Sequence, residues 1–222
     1  MLRSTRNDEG PFLAYGVLMA TTLSRYQAGD DVTLYLCENG FIAVNPPLTG
    51  GRIGSLSTRT THPIFLALLQ QVLTAAGLRV KVVNPYRLKT KGEMLLECLN
   101  QTLLDAHAHQ TTSCGRFLKF GYKHCGRCVP CQVRRAAFRA WGKVDRTFYV
   151  YGDLAIDDDE HAGFDDVRSA LIGIAERREV GTGRWLGSSL SSALVGEKDE
   201  LAGTVERGLA EIESLLTAMG VQ

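Results

Sequence analysis

Hydrophobic positions in the first hundred residues alternate between helical and extended spacing. Residues 11–26 carry apolar side chains at helical intervals, whereas the short run at 32–36 has the length and composition of a strand. The elements predicted after it are a helix over 63–76 with Pro63 in its first turn, a strand over 78–84, and a helix after Thr90, where Glu93 has capping-box spacing. This α-β-α-β-α order predicts an α/β fold with a parallel sheet.

Two strands make a smaller sheet than is usual for parallel strands, which helices normally bury on both faces. We therefore expect residues 1–110 to be part of a larger sheet, whose earlier strands lie upstream or on another chain. A loop rich in Gly, Pro, Ser and Thr is predicted over 38–61. Its hydroxyl groups suit an anionic or heteroaromatic ligand, and they are equally compatible with an ordinary polar loop.

After residue 110 the alternation ends and charge separates into blocks. Residues 116–146 contain nine Lys or Arg and one acid, whereas residues 153–166 contain seven acids and no Lys or Arg. These blocks form solvated faces or neutralise each other. Residues 197–219 are predicted to be a helix with one apolar stripe. We divide the chain into the α/β part at 1–110, a cysteine-bearing region at 111–150, and an acidic linker with a helical tail at 151–222.

Composition and charge narrow the class of protein. The chain has 222 residues, 45% of them hydrophobic, and a formal net charge of +1, which argues against general adhesion to nucleic acid or membranes. It has no apolar run of membrane-spanning length and no recognisable export signal. We expect a cytoplasmic protein, in which clustered cysteines are more typical of metal binding or catalysis than of disulfides.

Four cysteines follow the pattern C-x10-C-x2-C-x2-C. They are Cys114, Cys125, Cys128 and Cys131. Four thiolates at this spacing predict a closed, structural Zn²⁺ site, and an iron–sulfur cluster is the alternative. A helix is predicted from Pro130 to Trp141, which places Cys131 in its first turn. We expect His124 to be a neighbour of this site and not a ligand, and Cys37 and Cys98 to be core residues.

Three blocks of sequence occur in a characteristic order between residues 1 and 150. They are ENG at 38–40 leading to GSLSTRTTHP at 54–63, KTKGEM at 89–94, and SC at 113–114 followed by HCGRCVPC at 124–131 and RRAA at 134–137. With this order the chain resembles the 7-cyano-7-deazaguanine synthase (QueC-like) family, and most strongly the QueC-like component of Qat-type anti-phage systems.

The resemblance implies an adenine-nucleotide α-hydrolase-like (PP-loop ATPase) fold with a zinc-binding C-terminal part. It implies a ligase that activates a 7-deazaguanine carboxylate with ATP and converts it with ammonia to a nitrile, or a related acyl transfer in anti-phage defence. ATP, Mg²⁺ and Zn²⁺ are the implied cofactors. The implied zinc ligands are the four cysteines named above. Lys91 and Arg59 are implied as catalytic residues, and the implied nucleotide- or substrate-binding residues are Glu38, Asn39, Ser55, Thr58 and Thr60.

One element of the family is missing from the sequence. Family members hold ATP phosphates with a Ser-Gly-Gly-x-Asp-Ser loop after an N-terminal strand, and this chain has no such loop. We expect that the chain is a fragment, that another polypeptide or a partner protein of the defence system supplies this half, or that the activity has been lost.

Two other classes of function stay open from the sequence. The basic block could contact nucleic-acid phosphates, and nearby aromatic rings could stack on bases. The predicted phosphate contacts are Arg116, Lys119, Lys123, Arg127, Arg134 and Arg135, and the predicted stacking residues are Phe117, Phe120 and Tyr122. Alternatively, the chain is a non-catalytic assembly subunit that docks through its C-terminal helices.

Overall fold

Two parallel strands, β1 (Val32–Tyr35) and β2 (Val80–Val83), form the sheet in the computed structural model of this protein, which describes residues 9–48, 61–156 and 166–221. The helices are α1 (Glu9–Thr22), α2 (Ser24–Gln27), α3 (Gly40–Val44), α4 (Pro63–Ala75), α5 (Lys91–Leu96), α6 (Gln101–His107), α7 (Val129–Trp141), α8 (Asp166–Val180), α9 (Thr182–Trp185), α10 (Gly187–Leu190) and α11 (Lys198–Ala218). The α-β-α-β-α order predicted for the first hundred residues is confirmed, with α2 and α3 as additions.

Local signals in the sequence explain where the helices begin. His62 caps α4 by accepting a hydrogen bond from the Ile64 amide at 3.2 Å, and Pro63 occupies the first turn, where its missing N–H costs nothing. The capping box predicted for α5 is present, because the Glu93 amide donates to the Thr90 hydroxyl at 3.1 Å and the Thr90 amide donates to the Glu93 carboxylate at 2.8 Å. This box fixes Lys91 as the first residue of α5.

Helices α1 and α4 cover one face of the sheet. Val32 and Val80 lie side by side in the parallel register and are buried against Val17 of α1 and Leu73 of α4. The opposite face is uncovered within the described residues, and Tyr35 on it is 61% exposed. A parallel sheet is normally buried on both faces, so this one has the size and exposure of a partial sheet.

The two edges of the sheet differ. On β2, the side-chain amide of Gln70 occupies the outer edge, donating to the Val80 carbonyl at 3.1 Å and accepting from the Val82 amide at 3.0 Å. On β1, Val32 directs its amide toward the strand partner, so the alternate residues Thr33 and Tyr35 direct theirs outward. In the part of the chain that is described, these outward groups have no backbone partner. The β1 edge is open, and the β2 edge is closed by a side chain.

The main hydrophobic core lies outside the sheet, between α3, α7 and the helices that follow residue 166. Helix α11 runs through it and buries Leu201, Val205 and Leu209 on the predicted apolar stripe. Gly208 allows α11 to approach α3 closely, since a Cβ at this position would lie 2.4 Å from the Phe41 ring. Within the described residues, no helix combines the length and the hydrophobicity needed to cross a membrane.

Two sequence predictions are wrong. The segment predicted as loop over 38–61 contains α3, which the short sequence GFIAV does not reveal by periodicity. Cys37 was predicted to be a core residue, but it is exposed, because it follows the end of β1 at the open side of the sheet. Cys98 is partly buried.

Candidate metal centre and the adjoining cavity

The four cysteines predicted as ligands lie together. The Sγ atoms of Cys114, Cys125, Cys128 and Cys131 are within 4.8 Å of one another, and all four side chains are buried. Three backbone amides donate to sulfur. Those of Arg116 and Cys125 donate to the Cys114 Sγ, each at 3.4 Å, and that of Cys128 donates to the Cys125 Sγ at 3.3 Å. Hydrogen bonds from the neighbouring thiols lower the pKa of Cys114. Four converging sulfurs with amide donors fit the requirements of a tetrahedral Zn²⁺ site.

The turn that carries three of these cysteines depends on Gly126. Its φ is +92°, and a Cβ at this position would lie 2.3 Å from the Tyr151 carbonyl oxygen. Residues 149–151 close over the turn, with the Val150 amide donating to the His124 carbonyl at 2.9 Å. Cys128 is the N-cap of α7, which places Cys131 in the first turn of that helix, as predicted.

His124 and the nearby aromatic rings support the cysteines from outside. The His124 imidazole accepts a hydrogen bond from the Ser113 amide at 3.2 Å, and its ring is not among the converging ligand atoms. Phe117 and Phe120 pack against the cysteine cluster. These two rings therefore have a structural role, and the stacking role considered for them from the sequence stays a prediction.

Two arginines of the basic block are internal. Arg127 is 2% exposed and donates to the Ile156 carbonyl at 2.9 Å, and Arg134 is 1% exposed. The Arg134 guanidinium donates to the Thr111 hydroxyl at 2.8 Å and to the Ala108 carbonyl at 2.6 Å. Neither arginine is available to nucleic-acid phosphates, so the phosphate contacts predicted at these two positions are wrong.

A cavity of about 520 Å³ opens where β1 ends, and Cys114 forms part of its wall. Ligands of open α/β sheets bind at this carboxyl end of the strands. The lining residues are Leu36, Cys37, Glu38, Asn39, Ile42, Thr61, Lys91, Thr112, Ser113, Cys114, Gly115, Pro130 and Val133. Three residues implied by the family resemblance, Glu38, Asn39 and Lys91, are thus brought together beside a metal-site cysteine.

Lys91 is the one cation among the described residues that line this cavity. Burial lowers the pKa of its amine, the nearby Glu38 carboxylate acts in the opposite direction, and Arg134 reinforces the lowering. No described residue forms a hydrogen bond or an ion pair with the Lys91 amine. It is therefore a partly desolvated donor that faces the cavity and remains available to a ligand.

Glu38 and Asn39 are held by one another and by α3. The Glu38 carboxylate accepts hydrogen bonds from the backbone and side-chain amides of Asn39, at 2.8 and 2.6 Å. The Asn39 side-chain oxygen caps α3 by accepting from the Ile42 amide at 3.0 Å. Asn39 thus fixes the orientation of Glu38 and has little capacity left to bind a ligand.

Four other predicted site residues lie outside the described residues. These are Ser55, Thr58, Arg59 and Thr60. Conversely, sequence analysis did not assign Thr112 or Ser113 to the lining. Ser113 adjoins the predicted ligand Cys114, and this adjacency is the indication in the sequence that its segment borders the site.

Helix α11 supports the turn that carries Lys91, although its sequence suggested only packing. The Glu211 carboxylate accepts hydrogen bonds from the Thr90 hydroxyl and, at 3.3 Å, from the Gly92 amide. A Cβ on Gly92 would lie 2.5 Å from this carboxylate. One turn earlier, Arg207 donates to Glu93 at 2.5 Å. The first turn of α5 is therefore attached to α11 by two side chains.

Comparison with known proteins gives a family match that includes Lys91 and the four cysteines. Residues 61–142 match the family model described as queuosine biosynthesis protein QueC. A 7-cyano-7-deazaguanine synthase of Paracoccus denitrificans (strain Pd 1222) is 32% identical over 96 residues, which are 42% of this chain and 39% of the relative. The match thus spans about two fifths of that synthase. No solved structure matches this chain.

Proposed function

We propose, from the premise that this chain is QueC-like over residues 61–142, that it takes part in ATP-dependent ligase chemistry on a 7-deazaguanine carboxylate. The observation that carries the proposal is the cavity at the end of β1, in which Lys91 and Glu38 lie beside Cys114. This arrangement combines a donor for an anionic group, a carboxylate acceptor, and a wall held in place by the cysteine cluster.

In this proposal Lys91 binds the carboxylate of the substrate. A compact ammonium in a partly buried position attracts a carboxylate more strongly than it would in water, and it continues to stabilise negative charge that develops during acyl transfer. Glu38 keeps this amine protonated and oriented. The four cysteines would hold Zn²⁺, which would crosslink residues 113–131 and thereby fix the cavity wall at Ser113 and Cys114; a closed four-sulfur site leaves no position for substrate.

The described lining does not by itself fit ATP. Lys91 is the only Lys or Arg among the described residues that line the cavity, and Glu38 balances its charge. Triphosphate binding sites normally offer a loop of backbone amides and a magnesium ligand set as well. We derive no phosphoryl-transfer step from these residues, and ATP and Mg²⁺ remain part of the proposal through the family resemblance alone.

A further polypeptide segment would complete the site at the β1 edge. A parallel strand placed beside Thr33 and Tyr35 would end next to Cys37 and Glu38, so its following loop would reach the cavity. The apolar side of α1 supports this location, because Phe12 is 73% and Met19 is 62% exposed on the helix that borders the strand. We propose that this segment supplies the phosphate-binding loop.

The carboxylate proposal is tested by equilibrium binding of 7-carboxy-7-deazaguanine to the purified chain. We expect Lys91→Ala to weaken binding about tenfold, which is the value of a charge-assisted hydrogen bond of about 1.5 kcal/mol. Lys89→Ala is the matched control, because Lys89 lies two residues away and pairs with Glu97 at 2.6 Å. Equal binding by the wild type and Lys91→Ala would remove the proposed role of this lysine.

A further inference from the structure

A second cavity, of about 720 Å³, lies between the end of α7, residues 142–152 and the end of α11. Among the described residues, it shares no lining residue with the cavity at β1. Arg135, Arg139 and Lys143 contribute three cations to its wall, and Asp145 contributes one acid. Counted over the described lining residues, the second cavity therefore has an excess of positive charge, whereas in the first cavity Lys91 and Glu38 balance.

The two guanidinium groups are placed for an anionic ligand. Arg135 and Arg139 are four residues apart on α7, so their side chains leave the same face of the helix. Arg135 donates to the Gly152 carbonyl at 2.6 Å, and Arg139 donates to the Ser214 hydroxyl at 3.0 Å. Neither has a carboxylate ion partner among the residues that the structure describes. An anionic ligand in this cavity would give the Arg139 guanidinium a charged partner.

The acid in the cavity wall is already engaged. Asp145 accepts hydrogen bonds from the Tyr149 hydroxyl at 2.5 Å and from the Thr147 amide at 2.9 Å. Lys143 is partly neutralised by Asp105, at 3.4 Å. The donors to Asp145 are uncharged, so Asp145 keeps its negative charge, and it acts together with Asp153 on Arg135. Arg139, which has no acid partner among the described residues, is therefore the main source of uncompensated charge in this cavity.

Aromatic rings lie beside these cations. Phe148 lines the cavity, is 67% exposed, and has the Lys123 amine 5.6 Å from its ring centre. The Arg135 guanidinium lies over the Tyr149 ring, with its carbon 4.8 Å from the ring centre. An exposed phenylalanine next to several cations offers a surface for a flat ring and its attached phosphates.

We propose that this cavity and its rim bind single-stranded nucleic acid, with a base stacked on Phe148 and phosphates held by Arg139, Arg135 and Lys123. The cations extend from the cavity across Phe148 to Lys123, so the site suits a chain of phosphates better than a single one. A duplex keeps its bases stacked internally and would leave Phe148 without its partner. This surface keeps Lys123 and Arg135 of the one expected from sequence, adds Arg139 and Phe148, and omits Arg127 and Arg134, which are internal.

The test is fluorescence anisotropy with a labelled oligouridylate of roughly 12 nucleotides, within the range of known single-strand sites. We expect Phe148→Ala to weaken binding about tenfold, as loss of one base stack does. Arg139→Ala should also weaken binding and lower the slope of log affinity against log salt by about one, whereas Arg139→Lys should retain most of the affinity. Metal content and melting temperature of each variant confirm that it is folded.

Two matched controls lie far along the chain from the second cavity. Arg184→Ala removes an exposed arginine of α9, and Phe12→Ala removes a phenylalanine that is 73% exposed on α1. Both should bind like the wild type. The proposal is overturned if these controls lose as much affinity as Arg139→Ala and Phe148→Ala. It is also overturned if a duplex of the same length binds as tightly, or if AMP binds and the oligonucleotide does not.

Discussion

The carboxylate of Glu211 accepts a hydrogen bond from the hydroxyl of Thr90, although the two residues are 121 positions apart in sequence. The same carboxylate lies 3.3 Å from the Gly92 amide. Lys91 lies between Thr90 and Gly92 in the sequence. Glu211 of α11 therefore holds the residues on both sides of the lysine that lines the first cavity. The C-terminal helix is thereby connected to the candidate site through hydrogen bonds as well as through hydrophobic packing.

Replacing Glu211 by Ala should destabilise the protein. The change leaves the buried Thr90 hydroxyl and Gly92 amide without this acceptor, and an unsatisfied buried polar group costs about 1–3 kcal/mol. The free energy of unfolding from urea titration measures the loss. Glu179→Ala is a suitable control, because this exposed glutamate near the end of α8 should change stability by less than about 0.5 kcal/mol. A loss in Glu211→Ala no greater than in this control would show that the contact is not stabilising.

The same residue should make stability depend on pH. Burial raises the pKa of the Glu211 carboxyl above its ordinary value of 4.5, against the opposing effect of the hydrogen bonds from Thr90 and Gly92. With a raised pKa the folded state retains the proton that the unfolded state releases, so stability falls as the pH rises from about 4.5 through the folded-state pKa. Relative to Glu211→Gln, which does not titrate, the wild type should lose stability over that interval. A constant difference between the two proteins, measured by urea unfolding at several pH values, would contradict this.

Sequence analysis could predict those features whose cause is local. The capping box of Thr90 and Glu93, the start of α4 at Pro63 and the position of Cys131 in the first turn of α7 each depend on residues within one or two helical turns. The spacing of the cysteines likewise predicted their cluster, because three cysteines at intervals of three residues bring their sulfurs together in one short turn. These parts of the fold agree with the structure.

Features set by distant contacts could not be predicted. The charge block from 116 to 146 gave no indication that Arg127 and Arg134 are internal, because their partners are carbonyl and hydroxyl groups and not acids. Cys37 was assigned to the core from its place after an apolar strand, but the open sheet edge exposes it. The attachment of Glu211 to α5 depends on the approach of two helices, which hydrophobic periodicity does not encode.

Zinc should be the metal of the cysteine cluster. We expect about one Zn²⁺ per chain by elemental analysis and no absorption near about 400 nm, where iron–sulfur clusters absorb. Cys128→Ser should lose the metal and lower the melting temperature, because binding to a structural site contributes to folding free energy. Cys98→Ser, at a partly buried cysteine outside the cluster, is the control. A brown, iron-containing protein would overturn the zinc assignment, and unchanged melting of Cys128→Ser would overturn the structural role.

Replacing Arg134 by Ala should lower the free energy of unfolding, because Arg134 connects several segments. Its guanidinium holds residues 108–113, which lead into Cys114, against α7 and also contacts the Thr147 hydroxyl at 3.0 Å. Removal leaves the buried Ala108 carbonyl without its donor and the partly buried Thr147 hydroxyl without a charged partner, and it should cost about 3 kcal/mol in the free energy of unfolding. Arg184→Ala, at an exposed position, should cost almost nothing. An Arg134→Ala protein as stable as this control would show that the internal network is dispensable.

This chain alone should bind ATP weakly and hydrolyse none. The charged side chains among the described lining of the first cavity are Lys91 and Glu38, so the net attraction for a triphosphate is small. Isothermal titration with ATP and Mg²⁺ measures the affinity, and phosphate release measures hydrolysis. If a polypeptide that supplies a strand and phosphate-binding loop is added at the β1 edge, the affinity for ATP should rise. Tyr35→Pro should reduce that gain, because proline removes the amide of residue 35 that points outward from this edge. Gln70→Ala, on the other edge, should leave the gain intact. Tight Mg²⁺-dependent binding of ATP to the chain by itself would show that its own residues hold the phosphates.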